Sequence, residues 1–309
     1  MEKGRVLVTG RRGFTGKYVA EALELAGWQV WGGCSRLTEW MTPFDKVADL
    51  TDAQSVQQLV DDVQPDAVIN LAGIAFVAHG SVDDFYRVNL LGTRNLLEAL
   101  SRSGYGQRGV VLASTANVYG NTQASLISES MPTAPANDYA VSKLAMEYVA
   151  KLFNSRLPIT IVRPFNYTGV GQNQKFLVPK IVAHFHRRAP KIELGNLDIV
   201  RDFSDVRDVA TVYAGLLEGG QESGEIFNVC SGSTIALGKI ISMCRAITGH
   251  DIEVETNQAL VRADEIKYLS GNPSRLDAVL GGVGRRRFED TLAWMLLCGQ
   301  SGRPAVRLN

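Results

Sequence analysis

Tyr139 and Lys143 stand four residues apart in the run Tyr-Ala-Val-Ser-Lys, a spacing that puts both side chains on one face of a helix. A tyrosine at its usual pKa of about 10 exchanges protons poorly near neutral pH. A lysine one helical turn away favours the phenolate and so lowers that pKa. We therefore predict that Tyr139 gives or takes the proton in a carbonyl reduction or alcohol oxidation. Thr115, across the predicted pocket, is expected to hydrogen-bond the same substrate oxygen.

A glycine-rich turn lies far upstream of this pair. Gly10, Gly13 and Gly16 follow the apolar residues 6–8 and open a predicted helix. Such a turn brings backbone N–H groups and a helix N-terminus against a pyrophosphate. The spacing is GxxGxxG rather than GxGxxG. A glycine turn without a ligand is the alternative, but the strand before it and the helix after it favour dinucleotide binding.

The end of the second predicted strand bears on the choice of cofactor. NAD-preferring sites usually end this strand with an acidic residue that holds the ribose 2′-hydroxyl group. Here the strand continues into Ser35 and Arg36, and Arg12 lies in the first turn. A guanidinium pairs well with a phosphate dianion. The pattern therefore favours NADP(H) over NAD(H), unless these arginines are solvated surface residues. Asp49 and Leu50, just before the helix predicted from residue 51, are placed to contact adenine.

Strand and helix patterns alternate through the first half of the chain, which predicts an α/β fold with a doubly wound parallel sheet of the Rossmann type. Predicted strands cover 5–9, 28–31, 67–70, 110–113 and 158–162, and predicted helices cover 16–26, 51–63, 83–100 and 139–154. Residues 1–165 are expected to form the nucleotide-binding domain, rejoined by about 203–230. Residues 166–309 are expected to form mainly a smaller α/β substrate domain.

Composition excludes several other classes of function. The 309 residues carry 32 basic and 32 acidic side chains, so no net charge favours nucleic acid or an anionic membrane. Four cysteines are scattered without a CxxC spacing, so neither a metal site nor a disulfide framework is expected. No signal peptide and no membrane span is predicted, and the expected location is the cytoplasm.

With these motifs in hand, the chain resembles the extended short-chain dehydrogenase/reductases. The matching segments are residues 9–16, Asn-Leu-Ala-Gly (70–73), Asn-Leu-Leu-Gly-Thr (89–93), the Thr115 segment and the Tyr139–Lys143 pair. The resemblance implies a nicotinamide cofactor and a homodimer formed by helices 83–100 and the helix that carries Tyr139. The cofactor contacts that it implies, together with those above, are Gly10, Arg12, Gly13, Phe14, Thr15, Gly16, Ser35, Arg36, Asp49, Leu50, Leu71, Ala72, Gly73, Tyr139 and Lys143.

The second half of the chain narrows the resemblance to enzymes that act on GDP-6-deoxyhexoses. Residues 163–172, Arg-Pro-Phe-Asn-Tyr-Thr-Gly-Val-Gly-Gln, resemble their RPFNHxGPGQ segment, and residues 195–208 resemble their GNLxxxRDFxDVRD segment. The implied reaction is NADPH-dependent reduction of the C4 ketone of GDP-4-keto-6-deoxy-D-mannose to GDP-D-rhamnose. The implied contacts with the GDP-sugar are Thr115, Asn117, Asn166, Lys180, Arg201, Arg262 and Glu265.

Asn117 separates reduction from dehydration. The related GDP-mannose 4,6-dehydratases carry a glutamate two residues after the catalytic threonine, as the base that takes the C5 proton. Asn117 occupies that position here, and an amide is not a useful base. Ketone reduction is therefore favoured over dehydration or epimerisation. A catalytically silent NADP-binding regulator is the third alternative, and the intact Thr115, Tyr139 and Lys143 count against it.

Overall fold

Seven parallel strands form the central sheet in the computed structural model, which describes residues 3–37, 41–75, 81–122, 125–219, 223–261 and 268–298. Their bounds are Arg5–Thr9 (β1), Gln29–Cys34 (β2), Asp45–Val47 (β3), Ala67–Asn70 (β4), Gly109–Ala113 (β5), Ile159–Pro164 (β6) and Glu225–Val229 (β10). The order across the sheet is β10-β6-β5-β4-β1-β2-β3. All the pairings are parallel, as the sequence predicts.

Helices cover both faces of this sheet. Val6 and Val8 of β1 face α1 (Phe14–Leu25) and α7 (Val206–Glu218), whereas Leu7, between them, faces α2 (Ala53–Val63), α4 (Thr93–Ser103) and α5 (Asp138–Lys151). Successive side chains of a strand alternate between faces, so an unbroken apolar run is buried on both sides. The predicted doubly wound fold is confirmed.

The predicted helix 83–100 is interrupted. A short helix, Val82–Asp84 (α3), passes into the π-helical segment Phe85–Gly92, and α4 follows. Asn89, inside the π-helical segment, exchanges hydrogen bonds with both backbone groups of Ile74, at 2.8 and 3.2 Å. Because these contacts join residues 15 positions apart along the chain, the helical spacing of apolar residues does not predict them. π-Helical turns are often found at functional sites.

The second half of the chain builds a smaller unit around β9 (Val200–Asp205). This strand pairs with β7 (Asn166–Thr168), β11 (Thr234–Ala236) and β13 (Tyr268–Leu269), and β8 (Lys191–Leu194) pairs with β12 (Glu253–Thr256). Its helices are α6 (Leu177–His186), α8 (Leu237–Thr248) and α10 (Phe288–Cys298), whereas α9 (Ser274–Leu280) packs beside α7 and β10 of the large sheet.

The chain returns to the large sheet between these parts, because α7 packs beside α1 and β10 pairs with β6. The division into domains at residue 165 stays a prediction. Among the described residues, none of the helices is both long and apolar enough to cross a membrane.

Candidate active site

The glycine turn joins β1 to α1 with little room for side chains. Gly10 has a φ of +70°, in the left-handed region that favours glycine. A Cβ atom on Gly16 would lie 2.2 Å from the carbonyl oxygen of Gly10, so the helix can approach the turn only without one. Gly13 caps α1 without a side-chain hydrogen bond. The backbone N–H groups at the start of α1 therefore have no side-chain partner at the cap, and they fit the pyrophosphate of a dinucleotide.

Two other predicted cofactor segments lie at this same edge of the sheet. Gly10 packs against the backbone of Ala72, since a Cβ there would lie 3.1 Å from the Ala72 nitrogen. The Ala72 N–H group also donates to the Thr9 hydroxyl at 3.2 Å. Leu71 and Gly73 flank Ala72 at the end of β4, so the turn and this segment form one wall of the candidate cofactor site.

Asp45 lies beside the predicted cofactor turn, and it was not identified from the sequence. Its carboxylate receives hydrogen bonds from Arg11 at 3.0 Å, from Arg12, and from the backbone and hydroxyl groups of Thr42 at 2.8 Å each. Burial raises the pKa of the Asp45 carboxyl, but the bonds from Thr42, Arg12 and Arg11 outweigh it and hold that pKa below its usual value.

This carboxylate changes the environment of Arg12. The segment after β2 carries no acid, as the sequence indicates, but β3 places Asp45 opposite Gly32 of β2. Arg12 is therefore already ion-paired, although its buried Nε atom has no partner among the described residues. Ser35 and Arg36 are exposed just beyond β2, and Arg36 makes no ion pair with any residue that the structure describes. Of the predicted phosphate ligands, Arg36 is the more available cation.

Asp49 and Leu50 follow β3, and each already has a structural partner. The Asp49 carboxylate accepts from the backbone and hydroxyl groups of Thr51, at 2.8 Å each. Leu50 is buried, and its backbone packs beside Gly92. Their predicted contact with adenine stays a prediction.

Thr115 and Tyr139 meet at the carboxyl end of β5. Tyr139 lies in the first turn of α5, which Asn137 caps by accepting from the Ala140 N–H group at 2.9 Å. Thr115 caps the 3₁₀-helical turn Ala116–Tyr119 by accepting from the Asn117 N–H group at 3.2 Å. Burial raises the pKa of Tyr139 to about 12, although its hydrogen bond with Thr115 acts in the opposite direction.

Lys143 lies one turn further along α5, and its Nζ atom donates to the Ala113 carbonyl at 2.8 Å. Burial lowers the pKa of Lys143 to about 8, against the opposing charge of Glu147. A Cβ on Gly73 would lie 3.2 Å from this Nζ atom. The structure therefore brings the reactive pair next to the predicted cofactor wall.

The direction of the Tyr139 shift corrects an expectation. The neighbouring ammonium is expected to lower the pKa of the phenol, but burial dominates and raises it. Both shifts have one cause, because a buried site disfavours the phenolate and the ammonium alike. Tyr139 therefore carries its proton near neutral pH, which suits a proton donor.

The predicted substrate residues divide into three groups. Asn166, on β7, donates to the Asp202 carbonyl at 3.2 Å, so it lies beside Arg201 on β9. Lys180 stands apart on α6, and its ammonium donates to the Glu193 carbonyl at 2.7 Å. Arg262 and Glu265 lie outside the described residues.

Tyr167 links the cofactor turn to the smaller unit, a contact that no local sequence pattern indicates. Its ring stacks on that of Phe14, with centroids 6.1 Å apart and planes 9° from parallel. The hydroxyl groups of Tyr167 and Thr15 lie 2.9 Å apart. The Tyr167 side chain on β7 therefore packs against both Phe14 and Thr15.

Comparison with known proteins agrees with this geometry. The family model described as NAD dependent epimerase/dehydratase family matches residues 6–230. The chain is 37% identical over 278 residues to GDP-6-deoxy-D-talose 4-dehydrogenase of Aggregatibacter actinomycetemcomitans, covering 90% of this chain and 91% of the relative. It is 34% identical over 289 residues to GDP-6-deoxy-D-mannose reductase of Pseudomonas aeruginosa, with the same coverage.

Solved structures share the fold over almost the whole chain. The structure of RMD from Pseudomonas aeruginosa complexed with NADPH has a TM-score of 0.85 and 31% identity, and the match covers 97% of this chain and 99% of that one. Other structures with this fold were determined with NAD. The predicted resemblance to the extended short-chain dehydrogenase/reductases is confirmed, and the relatives place the chain among the nucleotide-sugar oxidoreductases of that family.

Proposed function

The chain belongs to the NAD dependent epimerase/dehydratase family, and we propose that it reduces the C4 ketone of a GDP-4-keto-6-deoxyhexose with NADPH. The observation that carries this proposal is that Thr115, Tyr139 and Lys143 are buried together, with Lys143 beside Gly73. Gly73 follows Ala72, whose backbone packs against Gly10 of the glycine turn.

Each reacting side chain has one task in this reaction. When bound, the nicotinamide cofactor supplies a hydride to C4 of the sugar. Tyr139 donates its proton to the C4 oxygen, and the Thr115 hydroxyl group orients that oxygen by hydrogen bonding. Lys143 stabilises the phenolate that Tyr139 leaves behind. The hydrogen bond from Lys143 to the Ala113 carbonyl keeps the ammonium close to Tyr139 and Thr115.

The GDP-sugar class is inferred from the relatives and from the segments at 163–172 and 195–208. The two curated relatives named above act on GDP-6-deoxyhexoses, as their names say. We assign Asn166 and Arg201 to the sugar nucleotide because Asn166 follows the end of β6 and Arg201 lies on the adjacent strand β9. Arg262 and Glu265 are proposed contacts with the phosphates and the ribose, and Lys180 is a peripheral one.

The proposed product is GDP-D-rhamnose, the GDP-6-deoxy-D-mannose that follows from the sequence resemblance. The 37% identity to a GDP-6-deoxy-D-talose 4-dehydrogenase favours a second candidate, GDP-6-deoxy-D-talose. The two sugars differ only in configuration at C4. The same Tyr139 proton serves either product, and the face of the ring that meets the nicotinamide decides between them.

Dehydration of GDP-mannose is the alternative reaction, and Asn117 argues against it. Asn117 lies two residues after Thr115 on the 3₁₀-helical turn, where a base would be needed. The buried carboxylate of Glu147, next to the reactive pair on α5, is bound by Arg163. It is therefore held as an ion pair rather than as a proton acceptor for C5.

NADP(H) is the proposed cofactor, with NAD(H) as the alternative. Arg36 is exposed beyond β2 and supports binding of a 2′-phosphate. Arg12 is the weaker candidate, since Asp45 already neutralises it.

We also propose a homodimer that forms through α4, the π-helical segment and α5. Leu91 in the π-helical segment, Tyr148 on α5 and Leu152, just after α5, are 49%, 59% and 68% exposed. Such large apolar side chains on neighbouring helices suit a two-fold interface. Light scattering at micromolar concentration tests this, and a monomeric mass would refute it.

The experiment that tests the function supplies NADPH with enzymatically made GDP-4-keto-6-deoxy-D-mannose. We expect one NADPH to be oxidised for each sugar reduced, and NMR of the product then assigns C4. Turnover without net loss of NADPH would favour a dehydratase or epimerase. No turnover with any ketosugar would favour a silent NADP-binding regulator.

A further inference from the structure

Glu147 and Arg163 form a buried ion pair behind the reacting residues. Glu147 lies on α5, one turn after Lys143, and Arg163 lies on β6. Arg163 donates from Nε to Oε1 at 2.9 Å and from Nη2 to Oε2 at 2.6 Å. The two side chains are only 2% and 5% exposed. A buried ion pair of this kind is weak evidence for stability by itself, so its other contacts carry the interest.

These other contacts lead to the two ends of one short segment. The Ser114 hydroxyl group donates to Oε1 of Glu147. At the other end, Nη1 of Arg163 donates to the hydroxyl group of Tyr119 at 3.0 Å. Ser114 immediately precedes Thr115, and Tyr119 is the last residue of the 3₁₀-helical turn. The single ion pair therefore holds both ends of residues 114–119.

The far end is anchored further into the fold. The Tyr119 hydroxyl group donates to Oδ1 of Asn228 on β10 at 2.8 Å, and Nδ2 of Asn228 donates to the Ile127 carbonyl at 3.0 Å. The Arg163 guanidinium also lies 4.9 Å from the centroid of the Tyr119 ring. A buried network whose members are all hydrogen-bonded permits few alternative arrangements. The segment that carries Thr115 and Asn117 thus has a fixed position.

We propose that Glu147 and Arg163 are positioning residues. They hold residues 114–119 so that the Thr115 hydroxyl group keeps its hydrogen bonds with the Tyr139 phenol and with the substrate oxygen. The role in reduction rests on the proposed function, but the positioning of Thr115 does not. Neither residue touches substrate in this account. Their effect on the reaction passes through the backbone between Ser114 and Tyr119.

Ser114→Ala tests the near end without leaving a buried charge unpaired. We expect kcat to fall by about 10- to 100-fold, the scale of a displaced catalytic group, with little change in the KM for NADPH. Ser103→Ala is a matched control, because Ser103 also donates to a carboxylate, that of Asp61 at 3.1 Å, but on the exposed end of α4. It should leave kcat unchanged.

Glu147→Gln tests the pair itself while keeping the size of the side chain. We expect a larger loss of kcat than in Ser114→Ala, because Gln cannot accept both bonds from Arg163. Circular dichroism and thermal unfolding identify folded variants. If Glu147→Gln does not fold, Ser114→Ala still decides the matter. Wild-type kcat in folded Ser114→Ala would overturn the proposal.

A second readout does not need the ketosugar. In protein labelled with ¹³C at the tyrosine Cζ atoms, the signal lost in Tyr139→Phe belongs to Tyr139 and reports its hydrogen bond with Thr115. We expect this signal to shift in Ser114→Ala and not in Ser103→Ala. A shift in protein whose wild type does not reduce the ketosugar would reject the proposed function and keep the positioning role. An unshifted signal with unchanged kcat in an active enzyme would reject the positioning role alone.

Discussion

The Nζ atom of Lys143 lies 2.8 Å from the carbonyl oxygen of Ala113, and this contact joins the helix of the reactive pair to the end of β5. Thr115 follows two residues later, so this bond keeps the ammonium close to the strand end from which Thr115 meets Tyr139. Burial of both side chains raises the pKa of Tyr139 and lowers that of Lys143. The neutral phenol that results is a proton donor.

Tyr139→Phe should reduce kcat by about 100- to 10,000-fold, the usual contribution of a general acid, while NADPH still binds. The ring remains but the transferable proton is gone. Stopped-flow rates and a fluorescence titration with NADPH separate the two effects. Tyr105→Phe, on the loop before β5, is the control and should behave as wild type. Turnover of Tyr139→Phe within a few-fold of wild type would remove Tyr139 from the reaction.

The rate of reduction should fall as the pH rises through about 8, since the pKa of Lys143 lies there and its charged form is the one that stabilises the phenolate. Tyr139 keeps its proton over this range because its own pKa is higher. The profile of kcat/KM for the ketosugar against pH measures the effect. Lys143→Arg keeps the positive charge and should lack this decline. A wild-type profile that stays flat to about pH 10, where an unperturbed lysine titrates, would contradict the assignment.

The chemistry of this pocket could be predicted from the sequence more readily than its electrostatics. The Tyr139–Lys143 spacing and the apolar run before Gly10 are local patterns, and strands Arg5–Thr9 and Ala67–Asn70 begin and end where they are predicted. The helix predicted from 51 begins at Ala53 because Asp52 caps it, accepting from the Gln54 N–H group. Burial of the phenol depends on residues far along the chain, so no local pattern gives the sign of its pKa shift.

The sequence also did not predict ion pairs between residues that only the fold brings together. Asp45 meets Arg11 and Arg12 across more than 30 residues of sequence, and the link passes through the pairing of β2 with β3. Glu147 stands four residues after Lys143, so its place on the same face of α5 was available from the spacing. Its partner Arg163 was not, because Arg163 lies on a different element, β6, and meets Glu147 only in the folded protein.

Arg36→Ala should weaken NADPH binding by about 10- to 100-fold, the scale of one or two charge-assisted bonds to the 2′-phosphate, and leave NADH binding nearly unchanged. Isothermal titration with each cofactor measures this difference. Arg102→Ala is a matched control, since Arg102 is an exposed arginine at the end of α4. Equal losses for both cofactors in Arg36→Ala would mean that Arg36 does not recognise the 2′-phosphate.

Asp45→Asn should destabilise the protein at neutral pH and make its stability less dependent on acid. The folded-state pKa of Asp45 is depressed, so its carboxylate stabilises the fold above the unfolded-state pKa of about 3.9. That contribution is lost as the pH falls through the folded-state value. Urea unfolding between about pH 3 and 7 should give a smaller rise in the free energy of unfolding for the variant than for wild type. Parallel curves would mean that Asp45 is not selectively stabilised in its charged form.

The most direct test follows the hydrogen that the reaction transfers. NADPH carrying deuterium at both positions of nicotinamide C4 is supplied with GDP-4-keto-6-deoxy-D-mannose, and the product is examined by NMR and mass spectrometry. We predict one deuterium per product molecule, located at C4 of the sugar, with one NADPH oxidised for each molecule formed. A converted sugar without deuterium at C4, and with the NADPH recovered unoxidised, would contradict the assignment of this protein as a ketosugar reductase.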